Sequence, residues 1–171
     1  MVLAPVILGV ILGAIALRFV NDLTAWERIR ELSREVDRPE GPARQWPWRR
    51  LYVRAMTTFF RAWEHSGYRI VPGALTPANV AVPDPDFHEN TRILSLAGWR
   101  PYQGPAAFVG MLFRNFYRQT EAFHPHSREL LQVGWIFDAC LEGVGAATAA
   151  RFFDALQAEL EAAPATAESR M

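Results

Sequence analysis

The stretch SGYRIVPGALTPANVAVPDPDFHENTRILSLAGWRPYQ, residues 66–103, separates two helical halves of the chain. Gly67, Gly73 and Gly98 alternate with Pro72, Pro77, Pro83, Pro85 and Pro101, a punctuation that no continuous helix tolerates. Two short β-like runs lie between these breakers, Asn79 to Val82 and Arg92 to Leu96. Residues 83–90 between them are turn-rich. This pattern predicts one small β-hairpin near 79–96, with a loop too long for a tight turn.

Upstream, Leu51, Val53, Met56, Phe59, Phe60 and Trp63 predict a helix from Trp48 to His65. Trp46, Trp48, Arg49, Arg50 and Tyr52 crowd its start, a mixture that suits either a membrane interface or a first turn packed on its own domain. Pro39, Gly41, Pro42 and Pro47 mark residues 39–47 as a linker. Before it, Leu23, Trp26, Ile29, Leu32 and Val36 recur at three- and four-residue spacing, predicting an amphipathic helix over 21–38 whose charged face is a solvated ion-pair lattice.

Downstream, Gly104-Pro105 opens a helix carrying Phe108, Met111, Leu112, Phe116 and Tyr117, which Pro125 breaks. A second helix is expected from about Ser127, with Leu130, Leu131, Val133, Ile136, Phe137 and Leu141, and ends at Gly143 to Gly145. A third carries Phe152, Phe153, Leu156 and Leu160. Residues 163–171 read as a frayed tail. The expected fold class is therefore mainly α: a helical domain over 48–162 with one small β-hairpin.

That domain is preceded by an apolar segment, residues 1–20, with no charge before Arg18. About 20 helical residues rise about 30 Å, the depth of a bilayer's hydrocarbon core. Arg18, Arg28, Arg30 and Arg34 follow the run and none precedes it, so the positive-inside rule places the bulk of the chain on the cytoplasmic side of a single-pass anchor. Gly9 and Gly13 form a GxxxG pair that would let a second helix approach, a route to self-association. The competing reading is a core helix, apolar all round, in a soluble protein.

Composition excludes several classes. The chain has 171 residues, 50% of them hydrophobic, enough to bury a core. Eighteen basic residues balance eighteen acidic ones, which disfavours a nucleic-acid partner bound through a broad basic field. Every base is arginine, so no lysine is present to grip phosphates or form a Schiff base. Cys140 is the sole cysteine, so no internal disulfide forms.

Within the dividing stretch, Gly73-Ala74-Leu75-Thr76-Pro77-Ala78-Asn79-Val80 follows a helix that ends at Trp63-Glu64-His65-Ser66-Gly67, and Arg92 to Leu96 leads into Ala97-Gly98-Trp99. This order resembles the large lobe of kinases of the aminoglycoside-phosphotransferase and protein-kinase type. Their catalytic loop reads roughly H-G-D-L-x-P-x-N and is followed by two strands and a metal-binding aspartate. Gly73, Leu75, Pro77 and Asn79 match that loop. Ala74 stands where the family has its catalytic aspartate, Pro72 where it has the histidine, and Ala97 near the metal-binding aspartate, just before Gly98. Phosphoryl transfer needs a carboxylate to orient the attacking hydroxyl and metal to neutralise charge, and alanine supplies neither. The resemblance thus implies a kinase-like lobe that has lost catalysis.

Other chemistry is thinly represented. Glu121, His124 and His126 are conceivable metal ligands, but Pro125 separates them and a solvated helix end is the simpler reading. His88, Asp84, Asp86 and Glu89 lack the register of an EF-hand. Cys140 sits on an apolar helix face and reads as a buried, inert thiol. The expectation is a non-catalytic accessory subunit without a cofactor, tethered to a lipid bilayer, whose helical domain docks on a protein partner or membrane complex. The alternative is a soluble pseudokinase-like regulatory domain or a fragment of a larger enzyme.

Overall fold

The computed structural model describes residues 23–36, 45–83, 91–95, 97–123 and 131–163. The elements are α1 (Ala25–Val36), α2 (Gln45–His65), β1 (Ile70–Val71), β2 (Val80–Ala81), β3 (Arg92–Ile93), β4 (Arg100–Pro101), α3 (Pro105–Leu112), α4 (Gln119–Phe123), α5 (Trp135–Val144) and α6 (Ala146–Ala162). The protein is mainly helical with two small antiparallel strand pairs. No helix among the described residues is long and apolar enough to cross a membrane. The apolar run of residues 1–20, with Gly9 and Gly13, lies outside the described residues, as does the tail beyond residue 163.

Helix α2 is the axis of the core. Every residue from Leu51 to Thr57 is buried, as are Trp48, Phe59, Phe60 and Trp63. Such all-round burial requires neighbours on every side. Trp48 and Tyr52 are therefore core residues, 1% and 0% exposed, and do not form an interfacial patch. Trp46 alone of that group projects outward, with the Arg49 and Arg50 guanidinium groups each 5.7 Å from its ring. The helix starts at Gln45, inside the stretch read as linker. Pro47 is compatible with this because the first turn needs no intrahelical N–H donor. At the other end, Gly67 and Tyr68 take positive φ, and Tyr68 N–H donates to Trp63 O at 3.0 Å to close the helix.

Helix α1 begins at Ala25 rather than near residue 21, because Thr24 and Glu27 form a capping box. Thr24 N–H and Oγ1–H donate to Glu27 Oε2 at 2.7 and 2.8 Å, and Glu27 N–H donates to Thr24 Oγ1 at 3.2 Å. Leu23, predicted as helical, instead lies beside β2: Val82 N–H donates to Leu23 O at 2.9 Å, and Thr24 bridges Ala81. Arg28 Nη2 adds a 2.6 Å bond to Pro83 O. Ala25 and Ile29 are fully buried in the same core as α2.

The expected hairpin is present but short. Val80 pairs with Ile93 and Ala81 with Arg92. A second pair, unforeseen, joins Ile70 to Pro101 and Val71 to Arg100. Proline fits there because a two-stranded ribbon has only edges, where a missing N–H costs little.

Helix α3 widens into a π-helical segment over Phe113–Arg118 before α4. The wider winding leaves Phe116 O accepting from Tyr52 Oη at 3.2 Å and from Thr120 Oγ1 at 2.7 Å, and the two hydroxyls also bond each other. The expected helix from Ser127 starts later. Residues 127–130 lie outside the described residues, Val133-Gly134 form a turn, and α5 begins at Trp135. Its Gly143 allows the close crossing with α2: a Cβ there would fall 2.6 Å from Phe60 Cβ. Gly145, at φ 77°, separates α5 from α6. Helix α6 returns to α3, where Glu159 Oε2 accepts from Ala106 N–H at 2.9 Å and caps that N-terminus. Phe60, Trp63, Phe108 and Phe152 form the aromatic contact among α2, α3 and α6.

Candidate functional site

The loop Gly73–Asn79 and the residues Ser95, Ala97 and Gly98 come together in space, although two strands and a loop separate them in sequence. Pro77–Asn79 form a single 3-10 turn, with Asn79 N–H donating to Thr76 O at 3.0 Å. This turn points the Asn79 side chain back under its own loop. Asn79 is 7% exposed, and its amide does three things. Nδ2 donates to Ala74 O at 3.0 Å and to Ser95 O at 3.1 Å, and Oδ1 accepts from Ser95 N–H at 2.8 Å. Leu94 N–H adds a 2.9 Å bond to Asn79 O. Both donors and one lone pair of the amide are thus used on main-chain groups.

Gly73 and Gly98 touch through their backbones. A Cβ on Gly73 would fall 1.9 Å from Gly98 O, so only glycine permits the approach. Gly98 itself has φ 72°. Leu75 and Pro77 are buried beneath the loop, and Leu75 O accepts from Asn115 Nδ2 at 2.7 Å. Asn115 belongs to the π-helical segment, so the widened turn reaches across to hold the loop from below. Ala74 is half-buried and Ala97 exposed. Ala97 N–H donates to Ser95 Oγ at 3.2 Å.

The seven residues singled out from the sequence are therefore neighbours, held together by main-chain contacts and the Asn79 amide. Gly73–Asn79 contains no ionisable side chain, and neither do Ser95, Ala97 and Gly98. Thr76 and Ser95 offer hydroxyls, but neither stretch supplies a base to activate them. The Asn79 amide bridges two loops. Ser95 and Asn115 were not legible as members of this cluster, because each contributes through a contact distant in sequence.

Most of the remaining candidates fall outside the described residues. Glu121 lies on α4 and is half-buried, whereas His124 and His126 lie outside the described residues, as does the 84–90 loop with His88. Among the described residues, no three His, Cys, Asp or Glu side chains are grouped to hold a metal. Cys140 is fully buried against the core, and burial pushes its thiol up to about 12. A thiol so shifted is a poor nucleophile. Burial likewise raises the Tyr52 phenol well above its ordinary range, partly offset by its bond to Thr120.

No protein-family model, curated protein or solved structure matches this chain.

Proposed function

We propose that this chain is a non-catalytic, membrane-tethered accessory subunit whose helical domain docks on a larger complex. One observation carries the reading: the sole polar side chain retained from a kinase-type catalytic set, Asn79, spends its amide on the carbonyls of Ala74 and Ser95 and on the Ser95 N–H. A side chain so engaged, with both donors and one lone pair spent on main-chain groups, serves to brace a scaffold. Ala74 presents a methyl group where a hydroxyl nucleophile would need a carboxylate. Kinase ancestry, on this reading, supplies the loop architecture and not the reaction. The tether rests on the apolar run of residues 1–20 and the arginines that follow it.

The same Asn79 brace also favours a second reading, a soluble pseudokinase-like regulatory domain. Two measurements separate the readings. Alkaline washing of isolated membranes leaves the tethered protein in the pellet, and recovery in the supernatant would overturn the tether. Titration with a fluorescent nucleotide and Mg²⁺ is expected to show no tight binding; saturable, Mg²⁺-dependent binding would overturn the non-catalytic reading.

A further inference from the structure

Among the described residues, helices α5 and α6 present one exposed apolar face. Val133, just before α5, and Phe137 and Leu141 within it are 55%, 47% and 39% exposed. Phe137 and Leu141, four residues apart, lie on one side of the helix. Gly145 turns the chain back, and Phe153 of α6 meets Phe137 with ring centroids 5.0 Å apart. Leu160, seven residues further on and 62% exposed, continues the same side of α6. The Phe137–Phe153 contact joins the two stripes into one exposed apolar face.

The charge pattern of the two helices is one-sided. Each of Phe137, Leu141, Phe153 and Leu160 is followed directly by an acid: Asp138, Glu142, Asp154 and Glu161. One residue on is about 100° round the helix, so an acid flanks each apolar residue of the stripes. Asp138 is bound by Arg49 at 2.9 Å, whereas Glu142, Asp154 and Glu161 are exposed. Arg151 is the one base in the two helices, and its position about 200° from Phe153 sends it to the far side, where it bonds Thr148 Oγ1.

An anionic bilayer would meet like charge here. A second copy docked through the same face would oppose acid to acid across a two-fold axis. The complementary occupant is a helix with an apolar stripe and basic flanks. We propose that this face binds a basic amphipathic helix of a partner protein, which rests on the interaction-subunit reading above and names the surface and its ligand chemistry.

The test is a fluorescence-anisotropy titration of the full chain, held in nanodiscs of neutral lipid, with a labelled amphipathic Leu/Lys helical peptide. A Leu/Glu peptide of the same pattern and empty nanodiscs serve as controls. Saturable micromolar binding of the Leu/Lys peptide alone is expected, weakened about tenfold by Phe137→Ser with Leu141→Ser and by Glu142→Gln with Glu161→Gln. All four positions are exposed, so unchanged circular dichroism is the control for folding. Absent binding, equal binding of both peptides, or a dimer abolished by Phe137→Ser with Leu141→Ser would overturn the proposal. A failed titration of a chain that still stays in the washed membrane pellet removes this docking face and leaves the tethered-subunit reading standing.

Discussion

Replacing Asn79 tests whether its side chain is a brace or a remnant ligand. Asn79→Ala deletes three part-buried hydrogen bonds, including the one from the N–H of Ser95. At a net value of about 1 kcal/mol each, the loss is about 3 kcal/mol. For a domain of this size, that lowers the melting temperature by roughly 6–12 °C. Asn79→Asp is more informative because it keeps the shape. One carboxylate oxygen can still accept from Ser95 N–H, but the other replaces a donor that lies 3.0 and 3.1 Å from two carbonyl oxygens. Near neutral pH this variant is therefore at least as destabilised as the alanine one. Protonation restores a donor, so the new carboxyl's folded pKa is raised above its unfolded value. A raised pKa contributes stability below the unfolded pKa and loses it as pH rises through the folded one. The deficit relative to wild type thus narrows at pH 4 and is widest at pH 7. Urea unfolding followed by the buried Trp48, Trp63 and Trp135 reads both arms. Wild-type stability of Asn79→Asp at pH 7, or stabilisation of either chain by Mg²⁺, would refute the brace.

Three further outcomes follow from the packing. Gly143→Ala forces α5 from α2, because the added Cβ would lie 2.6 Å from Phe60 Cβ; a loss of about 1–3 kcal/mol in urea unfolding is expected. The Thr24 N–H and hydroxyl hold the Glu27 carboxylate below its ordinary range, so its contribution is present above the unfolded pKa and fades as pH falls through the lower folded value. The stability gap between wild type and Glu27→Gln should accordingly close in acid, as followed by thermal melts over pH. Cys140 should resist a thiol-titrating disulfide reagent in the native protein and react fully once urea unfolds it, since burial both shields the sulfur and raises its pKa.

Helices α1, α2, α3, α5 and α6 were legible as periodic apolar stripes, and the β2–β3 pair as two runs between glycine and proline breakers. Their errors have physical causes. Leu23 fits the apolar period of α1, yet the Thr24–Glu27 capping box starts the helix at Ala25, two residues after it. Trp48 and Tyr52 carry the chemistry of an interface, but α2 is enclosed on all sides and the core takes them. The β1–β4 pair joins two-residue segments some thirty positions apart, too short to show alternation. The π-helical segment, where Tyr52 and Thr120 meet at the Phe116 carbonyl, is announced by no local pattern. At the candidate site, the resemblance brought Gly73, Asn79 and Gly98 into view, but the amide's partners and Asn115 needed the folded backbone.

The bond from Val82 N–H to Leu23 O has a practical consequence. Dissecting the chain at the start of α2 would amputate a rung of the hairpin and two fully enclosed side chains, Ala25 and Ile29. A dissected piece must therefore keep Leu23 and Thr24, and a fusion joined directly to them would pull on the strand.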